Sequence, residues 1–363
     1  MSPGTGVPAS ERLTVEGELE DIEEFLYQRG NTDGLPIVPP TPERVARMIE
    51  ANGLAPDTLI AEKIPPRNGP ATVEAIAINA VMAGCRPEYL PVVIAAVEAM
   101  TTGGFDLFGV QATTHPCGIV TFVSGPVSQK LDINSGSGAL GPGWRANATI
   151  GRAIRLILRN LGGAKPGEVD KATQGTPAKY TYCFAENQEQ SPWEPFHVER
   201  GFAEDASTVT VLGLEGPHDI NGQDATKAES FLKILANSIT SAGSSNFRFT
   251  TGSDLFIALG PEHAAILGRE KVGRDEIRAY LFEHARVPVD RLSAEHIERR
   301  RTTPAQHGEW DGKTPIPVVK DPSNFLITVV GGAGLHSSWM PSWGGPRHQA
   351  VTREIRMNTD HSN

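Results

Sequence analysis

The sequence predicts an α/β (or α+β) fold in two lobes, and three features carry that prediction. Four β-branched, apolar runs each end in Gly-Pro or Gly-Gly: 119–124 before Gly125-Pro126, 209–215 before Gly216-Pro217, 255–259 before Gly260-Pro261, and 326–330 before Gly331-Gly332. Such runs read as buried strands. Segments with apolar residues at helical spacing alternate with them, which gives α/β or α+β rather than a bundle or a sandwich. At 363 residues the chain also buries a large core without a disulfide or metal staple.

The elements follow in order. Residues 1–15 read as a lead, and 15–29 as a charged helix carrying Ile22, Phe25 and Leu26. Residues 33–42, Asp-Gly-Leu-Pro-Ile-Val-Pro-Pro-Thr-Pro, form an extended strap, because prolines fix φ and bias their predecessors away from the helical region. A helix follows near 43–51. Val73, Ile76, Ala77, Ala80, Val81 and Gly84 share one helical face, and Leu90, Val93, Ile94, Val97 and Met100 repeat the pattern after a turn. Further helices are expected over 145–161, 224–242, 261–269, 273–285 and 292–301. The strand-glycine theme in both halves suggests a pseudo-duplication, with the Gly/Pro-rich stretch 162–167 as the boundary. The expected division is 1–42 for the N-terminal helix and strap, 43–170 for the first lobe and 171–363 for the second.

Lys and Arg number 33 against 43 Asp and Glu, a formal charge of −10, which disfavours nucleic acid and anionic membranes as partners. There is no run of 18 apolar residues and no basic or apolar leader at residues 1–6, so the expected location is cytoplasmic. The apolar helices between 71 and 100 leave a homo-oligomer open, and packing within the chain explains them equally well.

Chemistry is expected first at Cys85, in the turn between two apolar helices and beside Arg86. The N-terminus of the second helix favours a thiolate there, as nucleophile or redox centre, while a buried core thiol is the competing reading. His336, at the end of a strand, and His115 are the candidate proton-transfer partners. His115 and Cys117, in His-Pro-Cys, also suit zinc or copper, although no His-Glu-x-x-His or second close ligand pair exists. The sequence requires no cofactor.

Two glycine-rich loops, 134–147 and 331–338, permit close backbone approach. Neither is a Walker A or dinucleotide motif, so a small anionic organic molecule fits better than a nucleotide. Asn134, Ser135, Arg145, Asn147 and Ser337 are the candidate ligand-binding residues on these loops, joined by Asn79 and by Trp343 as an apolar wall. Tight turns between packed elements are the competing account. Arg152, Arg155 and Arg159 recur on one helix face and read as a solvated or inter-subunit surface.

Asp33-Gly-Leu-Pro-Ile-Val-Pro-Pro-Thr41, Asn79-Ala-Val-Met-Ala-Gly-Cys-Arg-Pro-Glu-Tyr89 and Val330-Gly-Gly-Ala-Gly-Leu-His-Ser337 together resemble a bacterial family related to UGSC-motif (seleno)proteins. The resemblance implies thiol or selenol chemistry in general and no particular substrate. This chain has no Cys-Gly-Ser-Cys, so a vicinal redox pair does not carry over. Three readings stand: a thiol-dependent enzyme on a small anionic substrate, with lyase or oxidoreductase ahead of hydrolase; a metal-dependent lyase or hydrolase using His115 and Cys117; and a non-catalytic small-ligand-binding protein.

Overall fold

Two four-stranded mixed sheets pack face to face, and helices cover both outer faces, in the computed structural model, which describes residues 10–248, 254–345 and 348–357. The strands are β1 (Leu59–Ile64), β2 (Gly69–Thr72), β3 (Gly118–Ser124), β4 (Cys183–Ala185), β5 (Thr208–Leu214), β6 (His218–Asn221), β7 (Leu255–Leu259), β8 (Arg286–Val287), β9 (Ile316–Pro317), β10 (Phe325–Val329), β11 (His336–Met340) and β12 (Val351–Glu354). The helices are α1 (Leu19–Gln28), α2 (Pro42–Glu50), α3 (Val73–Ala83), α4 (Leu90–Met100), α5 (Leu107–Ala112), α6 (Val127–Lys130), α7 (Arg145–Asn160), α8 (Phe196–Glu199), α9 (Ala228–Ser238), α10 (Ser245–Arg248), α11 (Pro261–Arg269), α12 (Arg274–His284), α13 (Ala294–Thr302) and α14 (Pro304–His307). The mixed α/β class is as the sequence predicts.

The period-two alternation of each strand sorts its side chains between layers. Val120 and Phe122 of β3, Phe184 of β4 and Leu212 of β5 face inward and meet Phe256 of β7, Leu326 of β10 and Met340 of β11. The rings of Phe122 and Phe256 lie 5.2 Å apart, edge to face, so the two sheets share one aromatic seam. The alternate residues turn outward. Val123, Val209 and Val211 pack under α3, α4 and α7, whereas Leu255, Ile257, Phe325 and Ile327 pack under α9, α11 and α12.

Both sheets repeat one arrangement. The orders are β4-β3-β5-β12 and β10-β7-β11-β6, and in each the neighbouring pairs run parallel, antiparallel and antiparallel. The edge strand of the second sheet, β6, precedes its partners in the chain, while that of the first, β12, comes from residues 351–354. The expected division at residue 170 therefore does not separate the sheets: β3 lies before it, and β4, β5 and β12 lie after it.

Every residue of α4 except Glu98 is buried, and α3 packs between α2 and α7. The apolar surface of residues 71–100 is thus covered within the chain. Thr72 caps α3 by accepting from the Ala75 amide at 3.1 Å, and Gly84 ends it in the left-handed conformation, φ +87°. After β7, Gly260 is required by space rather than by φ. A β-carbon there would stand 2.1 Å from the carbonyl oxygen of His336 on the neighbouring strand. Among the described residues no helix is long and apolar enough to cross a membrane.

Candidate functional site

Cys85 stands where three segments of the chain meet. Its Sγ donates to the Thr149 carbonyl of α7 at 3.2 Å, and the glycine before it faces Thr149 and Val38 of the strap. The expected activation by a helix N-terminus is not what the structure provides. Pro87–Tyr89 is a 3-10 turn and α4 begins only at Leu90, so Cys85 belongs to the carboxyl end of α3, the wrong end of the dipole for a thiolate. Arg86 reaches toward Glu88, at 3.8 Å. Burial pushes the Cys85 thiol up to about 12, against the pull of the Thr149 contact and of Arg152, so the sulfur is a protonated donor at neutral pH.

The two histidines do not join it. His115 places Nε2 2.8 Å from Glu215, whose other oxygen lies 3.5 Å from His218. His336 is exposed at the start of β11, its Nδ1 3.0 Å from Asp219 of β6. Each imidazole thus has a carboxylate partner on the 215–219 segment, and Cys85 has a carbonyl on α7. Among the described residues no three His, Cys, Asp or Glu side chains are grouped to hold an ion. Cys117 is a buried member of the α7-side core, its thiol pushed up to about 12 by burial.

The polar residues expected at a ligand hold the fold together. Asn79 is buried on α3, donates to Ala75 O and accepts from Asn160 of α7 at 2.7 Å. Asn147 accepts from the Asn134 amide at 2.8 Å and donates back to the Asn134 carbonyl at 3.0 Å, pinning the first glycine loop to α7. Ser135 O accepts from Gly331 N at 2.8 Å, so the two glycine loops meet each other. Buried Ser337 accepts from Gly260 N and lies 2.7 Å from His263 Nδ1. Trp343 fills space against Gly109 and Gly345, where a β-carbon would strike its ring. Arg145 alone of these is exposed.

A Ser-His-carboxylate group that the sequence reading missed proves to be structural. Ser124 Oγ donates to Glu186 at 2.6 Å and lies 2.8 Å from His197 Nδ1, but the far nitrogen of His197 faces the Glu204 carbonyl. The carboxylate therefore does not orient the imidazole, as a nucleophile-base-acid relay requires. All three side chains are buried, and Glu186 also accepts from Thr328 and the Phe196 amide, tying the sheet seam to α8.

The arginine face of α7 lines a pocket walled by several charged side chains. Arg152 binds Asp33 of the strap through two 2.8 Å bonds, so this face is not the solvated surface its spacing suggests. Asp33, Arg155, Arg159, Asp170, Lys179 and Tyr180 border a pocket of about 390 Å³ beneath residues 166–180. Burial alone would raise both carboxyls, but Arg152 outweighs it at Asp33 and Lys179 with Arg155 at Asp170, holding each below its usual value. Lys179 Nζ sits 2.7 Å from both Asp170 oxygens and Arg155 lies 3.2 Å away. Arg159 is different: it donates to the Gly30 carbonyl at 3.1 Å and has no carboxylate within ion-pair distance among the described residues. Behind Arg155, Asp170 and Lys179 a second space of about 30 Å³ reaches Cys117 and Gln111. The signal for this pocket was present in the sequence as three arginines at helical spacing plus the strap's Asp33; the partners from residues 170 and 179 were not readable.

Compared with protein families, curated proteins and solved structures, the chain gives no match.

Proposed function

We propose that this protein binds a small anionic organic molecule in the pocket between the strap, α7 and residues 166–180. The supporting observation is Arg159, a cation in a pocket of about 390 Å³ whose two carboxylates are already engaged by other cations. That volume suits a metabolite-sized ligand, and a guanidinium fork recognises a carboxylate or phosphate by paired hydrogen bonds. The test is calorimetry against a panel of small mono- and dicarboxylates and organic phosphates. A binder is expected whose affinity falls about tenfold in Arg159→Gln. A panel without a binder, or a binder indifferent to Arg159→Gln, rejects this pocket.

A second reading, a thiol-dependent enzyme, is favoured by the meeting of strap, α3 and α7 at Cys85. Its test is alkylation of Cys85 against pH. The protonated thiol predicts labelling that rises only on the alkaline side, which leaves binding as the function; selective labelling below about pH 7 reinstates Cys85 as the reacting group.

A further inference from the structure

On the side of the second sheet, α10, α13 and α14 bring basic side chains together. His296 stacks on Phe247 with ring centres 5.2 Å apart and accepts from Arg300 Nε at 3.0 Å through its Nε2. Arg300 lies over the same phenyl ring and donates to the Phe247 carbonyl at 2.9 Å. His296, Arg300 and His307 are all buried. His307 is 8 % exposed, and neither of its ring nitrogens has a hydrogen-bond partner among the described residues.

Among the described residues, the charges that weigh on these groups are of one sign. Burial lowers His307, and Arg300, Arg299 and Arg248 lower it further; the same neighbours with burial push His296 down to about 4. Arginines at the last turn of α13 are favourable on their own, since cations complement the carboxyl end of a helix. That account does not extend to Arg248, which comes from a different segment, nor to a buried imidazole with two unmatched nitrogens, an arrangement that costs free energy unless something fills it.

We infer that Arg248, His296, Arg300 and His307 surround a binding site for a compact oxyanion, a phosphate or sulfate dianion or the phosphoryl group of an organic ester. A dianion answers the converging cations and accepts the hydrogen that a buried His307 must donate. A halide lacks the several acceptor oxygens that guanidinium forks address. The net charge of −10 directs this site to a small anion rather than to nucleic acid. Its residues are separate from those of the α7 pocket, so the two readings stand or fall independently.

The experiment is calorimetric titration of the whole chain, in chloride-free buffer, with inorganic phosphate, sulfate and glycerol phosphate, together with nitrogen-15 NMR of the histidine rings. Saturable binding of phosphate is expected, with a shift of both His307 ring nitrogens and an affinity about tenfold weaker in Arg248→Gln. Arg159→Gln leaves this binding unchanged. Glycerol phosphate binding as well as the free ion marks an organic phosphoryl ligand; its exclusion marks the free ion. No saturable binding up to about 10 mM, or binding that leaves the His307 signals in place, overturns the assignment. The NMR measurement on the unsubstituted chain decides the matter even if Arg248→Gln does not fold.

Discussion

Removing the Arg152 side chain should release the strap. Its guanidinium makes two 2.8 Å bonds to Asp33 and donates to the Leu35 and Pro36 carbonyls at 3.2 and 2.8 Å. The two side chains are 14 % and 5 % exposed, so Arg152→Ala leaves a mostly buried carboxylate without its cation. Breaking a buried pair from one side costs about 3–5 kcal/mol, and the residual exposure of Arg152 places this case at the lower end, about 3 kcal/mol. The loss is local, because the strap is otherwise held by few bonds. Val38 N donates to Met82 O at 3.2 Å and Ile37 N to Glu23 at 3.1 Å. Hydrogen exchange of those two amides should therefore accelerate by about a hundredfold, at about 1.4 kcal/mol per factor of ten, while amides of β3 and β5 are unmoved. Asp33→Asn should act in the same direction, and the double variant should lose less than the sum of the singles. The Asp33 carboxyl is held below its usual value, so this stabilisation is fully present above the ordinary aspartate range and is lost as pH falls through the lower, folded value. Exchange at Val38 that changes by less than about threefold in Arg152→Ala would refute the reasoning, since it would mean the strap is held by something else.

Two further outcomes follow from the packing. Gly260→Ala should destabilise the chain by about 2 kcal/mol or more in urea unfolding, because its new β-carbon meets at 2.1 Å the carbonyl of His336 on β11, a strand paired to β7 on one side and β6 on the other; a loss within about 0.5 kcal/mol would show that the strand gives way. His348 is buried, its Nε2 accepting from the Gly213 amide and its Nδ1 facing the Phe105 carbonyl, and burial pushes its value down to about 4, so it stays neutral when folded. Its contribution is present above the unfolded value near 6.5 and is lost as pH falls toward 4, about 3 kcal/mol in all; in His348→Gln the dependence of stability on pH between about 6 and 4 should flatten, and an unchanged slope would assign it to other groups.

What the sequence conveyed and what it withheld divide along physical lines. Long periodic helices and β-branched strands were legible because their apolar spacing is the same quantity that sorts them between layers: the helix expected over 261–269 is α11, and the runs at 119–124 and 255–259 are β3 and β7. Short strands such as β6, His-Asp-Ile-Asn, carry no such spacing, and β12 pairs with β5 across more than 130 residues, so neither has a local signature. The site was harder for a related reason. Cys85 was placed correctly in its turn, yet whether a thiol between two helices is a nucleophile depends on which helix end it touches, and a 3-10 turn of three residues moved α4 away from it. Arg152, Arg155 and Arg159 show the converse. A stripe of arginines on a helix looks solvated from the sequence because their acids, Asp33 and Asp170, lie 119 and 15 residues away in the chain. Charge partners at long range decide whether a basic face is a surface or a pocket wall, and only the fold supplies them. The same holds at α13, where Arg299-Arg300-Arg301 reads as a helix-end preference until Arg248 and His307, whose ring nitrogens have no partner among the described residues, join it from other segments.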